Sequence, residues 1–188
     1  MENLDVMVLR TLHGWRAAGR RALLATVVRT WGSSPRPVGS IMALCEDGAC
    51  IGSVSGGCIE DDLIDRHTRA YAQTGTGDRG DHSIPSGPPA FVKYGITADE
   101  AHRFGLPCGG TLELLLEFQP DYETLDALVR RLESGQLVQR TVDVATGAVT
   151  LAPASTPTPL TVTVLPVLLV ILTSTESTPK PAEFSKKL

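Results

Sequence analysis

Two short segments of this chain each place a cysteine beside a pair of glycines. The segment 52–60 contains Gly56-Gly57-Cys58, and the segment 106–111 contains Cys108-Gly109-Gly110. Glycine permits positive φ angles and leaves room for a ligand against the bare backbone. The pattern therefore predicts thiols presented on tight turns. We expect the two segments to build one site for a small anionic or sulfur-binding ligand.

Helical and strand patterns alternate along the first 151 residues. Helices are predicted at 3–19, 59–73, 97–105 and after Pro120, where Leu125, Leu128, Val129 and Leu132 form an apolar face. Strands are predicted at 22–30, 40–45, 50–54, 91–94, 111–118, 136–144 and 148–151. This alternation predicts an α/β fold, with one mixed-sheet domain and flanking helices over residues 1–151.

The composition changes near residue 152. Residues 152–163 are mostly Ala, Pro, Ser and Thr, which is typical of a linker, and the last sixteen residues are polar. The apolar stretch 164–172 is long enough for one strand. We therefore expect residues 152–188 to form a linker and tail that carry at most that strand.

Charge and composition exclude several classes of partner. The chain has 188 residues, a net charge of −4 and only 5% aromatic residues, and its basic residues are scattered. Neither a nucleic-acid surface nor an anionic-membrane surface is indicated. The N-terminus lacks a basic signal-peptide region, and the most apolar stretch, 160–172, is too short to cross a bilayer. These observations predict a cytoplasmic protein.

The four cysteines are expected to be reduced thiols, because nothing indicates secretion. Their spacing does not match a structural zinc site. Cys45 and Cys50 lie on predicted strands, so packing roles are expected for them.

The segment 52–60 is typical of a turn that leads into a helix, which aims free N–H groups at an anion. Ser53 and Ser55 would add hydroxyl donors. The acidic residues 60–62 would compete with a bound phosphate, unless they point away or bind a metal. The alternative is a tight turn around a small buried cysteine. The segment matches neither the P-loop nor the dinucleotide-binding fingerprint.

The loop 31–39 offers a second anion-binding group. Arg36 stands between Pro35 and Pro37, and its planar guanidinium suits a phosphate or carboxylate. Ser33 and Ser34 are candidate supporting donors. The alternative is a solvated arginine on a proline-stiffened turn.

Cys58 and Cys108 together are the candidate soft ligands. Two thiolates suit a transition metal or a transferable sulfur. The alternative for Cys108 is a buried, inert cysteine.

Taken in order, these segments resemble the XdhC/CoxI family of accessory factors for molybdenum hydroxylases. The matching stretches are 32–36 with Gly39 and Met42, then 52–60, then 105–110. The resemblance covers residues 1–118 and extends towards residue 151.

The resemblance implies binding of the molybdenum cofactor, a pterin that carries a phosphate and a dithiolene-held metal. It implies that the protein supports sulfuration of the cofactor and its insertion into apo xanthine dehydrogenase or a related oxidase, with a cysteine desulfurase as a further partner. Such proteins are chaperones more than catalysts. The implied cofactor-binding residues, with Cys58 and Cys108 towards the molybdenum, are Ser33, Ser34, Arg36, Ser53, Ser55, Gly56, Gly57, Cys58, Cys108, Gly109 and Gly110.

The sequence departs from this family towards its end. Full-length members resemble a two-domain protein with a C-terminal Rossmann domain, whereas no Gly-x-Gly follows the stretch 164–172. That domain is therefore expected to be absent. Its absence would leave an apolar face exposed, and such a face favours self-association, so we expect a homo-oligomer. Two alternative functions stay open: a sulfur-transfer or redox protein that uses Cys58 and Cys108, and an interaction module without a ligand.

Overall fold

The computed structural model of the chain describes residues 4–32, 34, 36–68, 83–95, 110–154, 163–165 and 168–173. Its central sheet contains β1 (Ala22–Trp31), β2 (Ile41–Cys45), β3 (Cys50–Gly52), β4 (Ala90–Tyr94) and β5 (Thr111–Phe118). The strand order is β3-β2-β1-β5-β4, and all neighbours are antiparallel. The long apolar strands β1 and β5 lie in the interior of the sheet, as their continuous runs of buried residues require.

Three helices cover this sheet in the described part of the chain. They are α1 (Leu4–Ala17), α2 (Cys58–His67) and α3 (Tyr122–Glu133). On α3 the buried residues recur at helical spacing, so the helix turns one apolar face inwards. On α2 that face is formed by Ile59, Leu63 and Ile64.

The sheet separates two apolar layers because alternate residues of each strand point to opposite faces. Leu112, Leu114 and Leu116 of β5 pack in the layer that contains the apolar face of α2. The opposite layer joins Leu24 of β1 to the inner faces of α1 and α3. The described core therefore has three layers: helix α2, the central sheet, and the pair of helices α1 and α3.

A second sheet lies beside the first. It contains β6 (Val138–Asp143), β7 (Val149–Pro153), β8 (Thr163–Leu165) and β9 (Leu168–Thr173) in the order β7-β6-β9-β8, again antiparallel. Every second residue of β6 is buried, and Arg140 takes one of these inward positions. Its guanidinium donates two hydrogen bonds to Glu117 of β5, at 2.9 and 2.7 Å. This ion pair joins the two sheets.

The predicted α/β class with flanking helices is confirmed, although the described sheets are antiparallel where a mixed sheet was expected. Helix α2 was predicted to continue to residue 73, but Thr68 is already extended and ends it. The single strand predicted at 164–172 is replaced by the hairpin of β8 and β9. Strand β9 pairs with β6, across the expected boundary at residue 152. The predicted helix 97–105 lies outside the described residues.

The start of α3 supplies a testable contribution to stability. The carboxylate of Asp121 accepts hydrogen bonds from the backbone nitrogen and the hydroxyl of Thr124, at 2.9 and 2.7 Å. Replacing Asp121 with alanine should lower the free energy of unfolding by about 1 kcal/mol at neutral pH, the usual value of an N-cap. Urea unfolding measures the loss, and Glu123→Ala in the same exposed first turn is the matched control.

This contribution should depend on pH. Hydrogen bonds from the side chain and backbone of Thr124 lower the pKa of Asp121 in the folded protein. The cap is therefore fully effective above the unfolded pKa of about 4 and weakens as the pH falls below it. The difference between wild type and Asp121→Ala should shrink between neutral pH and pH ~3. A constant difference across that range would contradict the interpretation.

Candidate functional site

Three connections meet at one end of the central sheet. Strand β1 finishes at Trp31, which pairs with Thr111 at the start of β5. Strand β3 finishes at Gly52, which pairs with Met42 near the start of β2. The arginine loop, the first Gly-Cys turn and the segment that precedes β5 therefore all leave the sheet at this end. We call it the Trp31 end.

Two contacts join these connections. The Nε atom of Arg36 donates a hydrogen bond to the hydroxyl of Ser53, at 3.2 Å. A Cβ atom added to Gly32 would lie only 3.4 Å from the Cα atom of Gly110. The arginine loop thus touches both glycine-rich segments. Ser34 has a different role from the one expected, because its hydroxyl donates to the carbonyl oxygen of Arg36, at 2.8 Å, and so stabilises the loop itself.

The turn between β3 and α2 is wrapped around the side chain of Glu60. This carboxylate accepts six hydrogen bonds from the five consecutive residues 53–57. Oε1 accepts from the backbone nitrogens of Val54, Ser55 and Gly56, at 2.8, 2.9 and 3.1 Å, and from the Ser53 hydroxyl, at 2.8 Å. Oε2 accepts from the Gly57 nitrogen, at 2.8 Å, and from the Ser55 hydroxyl.

The charge state of Glu60 follows from these contacts. Only 8% of Glu60 is exposed. Burial alone would raise the pKa of its carboxyl, but the hydrogen bonds from Ser55, Gly56 and Ser53 outweigh burial and lower that pKa far below its usual range. Glu60 is therefore an ionised, buried acceptor.

The sequence suggested that the N–H groups of this turn would be free to hold an external anion. The structure instead assigns the N–H groups of residues 54–57 to Glu60. The acidic residues 60–62, which were expected to compete with a phosphate, have three different environments. Glu60 folds back into the turn, Asp61 is exposed, and Asp62 accepts a hydrogen bond from the buried Tyr94, at 2.8 Å.

The outer side of the turn is accessible. Gly56, Gly57 and Cys58 are all exposed, and a Cβ atom placed on either glycine would have no atom within 4 Å. Arg36 is exposed as well. The Cys58 thiol and the Arg36 guanidinium are therefore both open to a ligand from solvent. This chemistry suits a ligand with one soft and one phosphate-like group.

The remaining predicted site residues are Ser33, Cys108 and Gly109, and they lie outside the described residues. The described neighbour of Cys108 and Gly109, Gly110, is buried beside Gly32. The joint role of Cys58 and Cys108 stays a prediction.

The described cysteines, Cys45, Cys50 and Cys58, are free thiols. Cys45 is buried, as a packing role requires, and burial raises the pKa of its thiol. Cys50 was also expected to pack, but it is exposed at the other end of β3. Within the described ranges, no group of three or more His, Cys, Asp or Glu side chains is arranged to hold a metal ion.

A second anchor of α2 was not predicted. Asp62 binds both the hydroxyl of Tyr94 and the Nε atom of Arg66, the latter at 2.7 Å. Tyr94 ends β4 at the Trp31 end and is 1% exposed. This contact ties the helix that carries Cys58 to the strand that precedes the second Gly-Cys segment. The sequence shows Asp62 in an acidic run after Glu60. It does not show that Asp62 contacts Tyr94, because the two residues are 32 positions apart.

Comparison with known proteins finds related sequences. Residues 15–79 match the sequence model of the XdhC and CoxI family. The chain is 33% identical over 116 residues to the molybdenum cofactor insertion chaperone PaoD of Escherichia coli strain K12, an alignment that covers 62% of this chain and 32% of PaoD. The N-terminal part of the chain is thus an XdhC/CoxI family domain.

The fold also has a counterpart among solved structures. A crystal structure described as a xanthine dehydrogenase from Bacillus halodurans superposes with a TM-score of 0.62 at 22% identity. The match covers 92% of this chain and 53% of that chain. The chain therefore spans about a third of PaoD and about half of the Bacillus halodurans protein. No helix among the described residues has the length and apolarity needed to span a membrane.

Proposed function

We propose that this chain, which carries an XdhC/CoxI family domain, binds the molybdenum cofactor and helps to insert it into a xanthine dehydrogenase-like apoenzyme. The observation that carries the proposal is the similarity of the chain to PaoD, a molybdenum cofactor insertion chaperone. The family match over residues 15–79, a range that contains the Arg36 loop and the Cys58 turn, supports it. In this proposal the protein acts as a carrier that delivers the cofactor.

The described residues at the Trp31 end fit such a cargo in part. Arg36 supplies a guanidinium fork for the phosphate, and Cys58 supplies a soft sulfur for the metal. The N–H groups of the turn do not fit, because Glu60 already uses them. The phosphate is therefore assigned to Arg36, supported by Ser33, whereas Ser53, Ser55, Gly56 and Gly57 shape the turn against which the cofactor lies.

Cys108 and Gly109 complete the proposed site. They directly precede Gly110, which lies against Gly32 in the arginine loop. This contact of Gly110 supports Cys108 as the second candidate sulfur. A cysteine desulfurase as sulfur donor, a cytoplasmic location and a homo-oligomeric state belong to the same proposal.

The proposal is tested by cofactor retention. The purified protein is incubated with molybdenum cofactor released from a molybdoenzyme, the free fraction is removed, and bound molybdenum and pterin are quantified. Arg36→Ala and Cys58→Ser should each weaken retention about tenfold, which is the usual effect of losing one interaction with a charged group or metal.

Two matched controls use residues that are not assigned to the cofactor. Cys50→Ser removes another exposed thiol, and Arg130→Ala removes another exposed guanidinium, on α3. Both should retain the cofactor like wild type. Equal retention by all four variants would reject the assigned site, and no retention by wild type would reject cofactor binding by this chain.

A further inference from the structure

We propose that Glu60 is a positioning residue, which holds the Cys58 turn and the Arg36 side chain in one arrangement without touching the ligand. The inference rests on the proposed function, because it assigns a role to Glu60 in the site described above. It starts from the contacts of one buried carboxylate.

The first step is the chemistry of the donors. The backbone N–H groups of residues 54–57 converge on the two oxygens of Glu60. Each of these groups only donates, so their convergence is stable only around an acceptor. An ionised carboxylate accepts on both oxygens, and hydrogen bonds to a charged acceptor are stronger than neutral ones. Glu60 is therefore the group that defines the path of the turn.

The second step is the direction in which the turn faces. Gly56 and Gly57 have positive φ angles of 105° and 153°, and they immediately precede Cys58, the first residue of α2. These glycines and Cys58 are exposed, whereas Glu60 and Val54 are buried beneath them. Glu60 thus acts from the protein side and leaves the outer side, with the thiol, to the ligand.

The third step is the link to the arginine loop. The hydroxyl of Ser53 donates to Glu60, at 2.8 Å, and accepts from the Nε atom of Arg36, at 3.2 Å. A hydroxyl has a single proton to donate. Because Glu60 takes that proton, the lone pairs of Ser53 are left to face Arg36. The same carboxylate therefore fixes both groups that we assign to the ligand.

The sequence contains a partial signal for this role. Helix α2 begins at Cys58 and its N-cap is Gly57, so Glu60 is the third residue of the helix. Glutamate at that position commonly accepts from the N-cap nitrogen, as Glu60 does from Gly57. The remaining five hydrogen bonds of Glu60 go beyond a helix cap, because they fix the turn that precedes it.

The test uses Glu60→Gln, which keeps the size of the side chain but places an NH₂ group against N–H donors. Two quantities are measured on the full chain under conditions where it is folded. Hydrogen exchange reports the protection of the N–H groups of residues 54–57. The rate at which iodoacetamide alkylates Cys58, followed on its peptide by mass spectrometry, reports the position of the thiol. This rate is taken at a pH where the thiol is fully ionised, so that it does not reflect the degree of ionisation.

We expect Glu60→Gln to lower the protection, most strongly at the N–H group of Gly57, which bonds to the second oxygen. We also expect it to change the alkylation rate of Cys58 by about threefold or more, since a loosened supporting group displaces the residue it holds. Asp61→Asn removes one charge from the same helical turn and should leave both quantities at their wild-type values. Lost protection with an unchanged alkylation rate would show that Glu60 stabilises only the backbone, and would overturn the proposal. Unchanged protection would overturn it as well.

If Glu60→Gln does not fold, Ser53→Ala and Ser55→Ala carry the test. Each removes one hydroxyl donor and leaves the carboxylate in place. At least one of them should change the alkylation rate of Cys58 by about twofold, and wild-type rates in both would overturn the proposal. Neither measurement uses the cofactor, so a failure of cofactor binding and a failure of positioning are distinguishable.

Discussion

Replacing Glu117 with glutamine should lower the free energy of unfolding by about 3–5 kcal/mol, because it leaves a buried guanidinium without its counter-charge. The side chains of Glu117 and Arg140 are each only 5% exposed. Both hydrogen bonds of the pair are short and parallel, the geometry in which an arginine and a carboxylate interact most strongly. Within the described residues, the Nε atom of Arg140 has no hydrogen-bond partner, so the guanidinium relies on Glu117 for the hydrogen bonds of its two terminal nitrogens.

The location of the pair adds to its importance. Glu117 belongs to β5 of the central sheet, and Arg140 belongs to β6 of the second sheet. On β6 the neighbouring inward residues are Val138 and Val142, which pack into separate apolar clusters on either side. Without its partner, Arg140 would have to leave this row to reach water, and the two sheets would lose their register.

Urea or thermal unfolding at neutral pH measures this effect. The control is Glu133→Gln, which breaks the exposed pair between Glu133 and Arg10 and should cost about 1 kcal/mol or less. The double variant Glu117→Leu with Arg140→Met removes both charges and should be more stable than Glu117→Gln. If Glu117→Gln and Glu133→Gln lower the free energy of unfolding by the same amount, the Glu117–Arg140 pair does not hold the two sheets together.

The central sheet could be predicted from the sequence because its signals are local. The apolar run of β5 and the hairpin of β2 and β3 depend on residue types and turn residues that lie next to one another. Arg140 shows where this reasoning ends. The charge of Arg140 predicts that its side chain faces solvent. Its place in the alternating pattern of β6 predicts that it faces inwards. Only the partner Glu117, 23 residues away, decides for the inward orientation.

One turn of the candidate site could also be predicted from the sequence. Glycine pairs beside cysteines indicate exposed turns, and the structure places Gly56, Gly57 and Cys58 on such a turn. The sequence does not reveal which acceptor the turn closes around, because a phosphate and a carboxylate use the same N–H groups. A side chain of the chain itself, Glu60, fills that place. A glycine-rich turn before a helix therefore predicts that the turn binds an anion. The structure identifies this anion as the carboxylate of Glu60.

Gly52 is the second position at which a single substitution should have a large effect. Replacing it with alanine should lower the free energy of unfolding by about 2–5 kcal/mol, from left-handed strain and overpacking together. Its φ angle is +86°. The added Cβ would overlap the carbonyl oxygen of Ile41 and would lie 2.9 Å from Cγ2 of Val8 and 3.1 Å from Cα of Met42. The backbone atoms belong to β2, and Val8 is fully buried, so none of these neighbours has room to move.

The matched control for Gly52→Ala is Gly19→Ala, which separates the two causes. Gly19 also has a positive φ angle, +73°, but nothing lies within 4 Å of its added Cβ. It should cost only about 1–2 kcal/mol, from the left-handed conformation alone. Chemical unfolding of both variants gives the difference, which measures the close approach of β2, β3 and α1. Equal losses would show that this approach is looser than described. A larger loss at Gly52 would mean that this glycine of the first Gly-Cys segment serves packing, while Gly56 and Gly57 serve the turn.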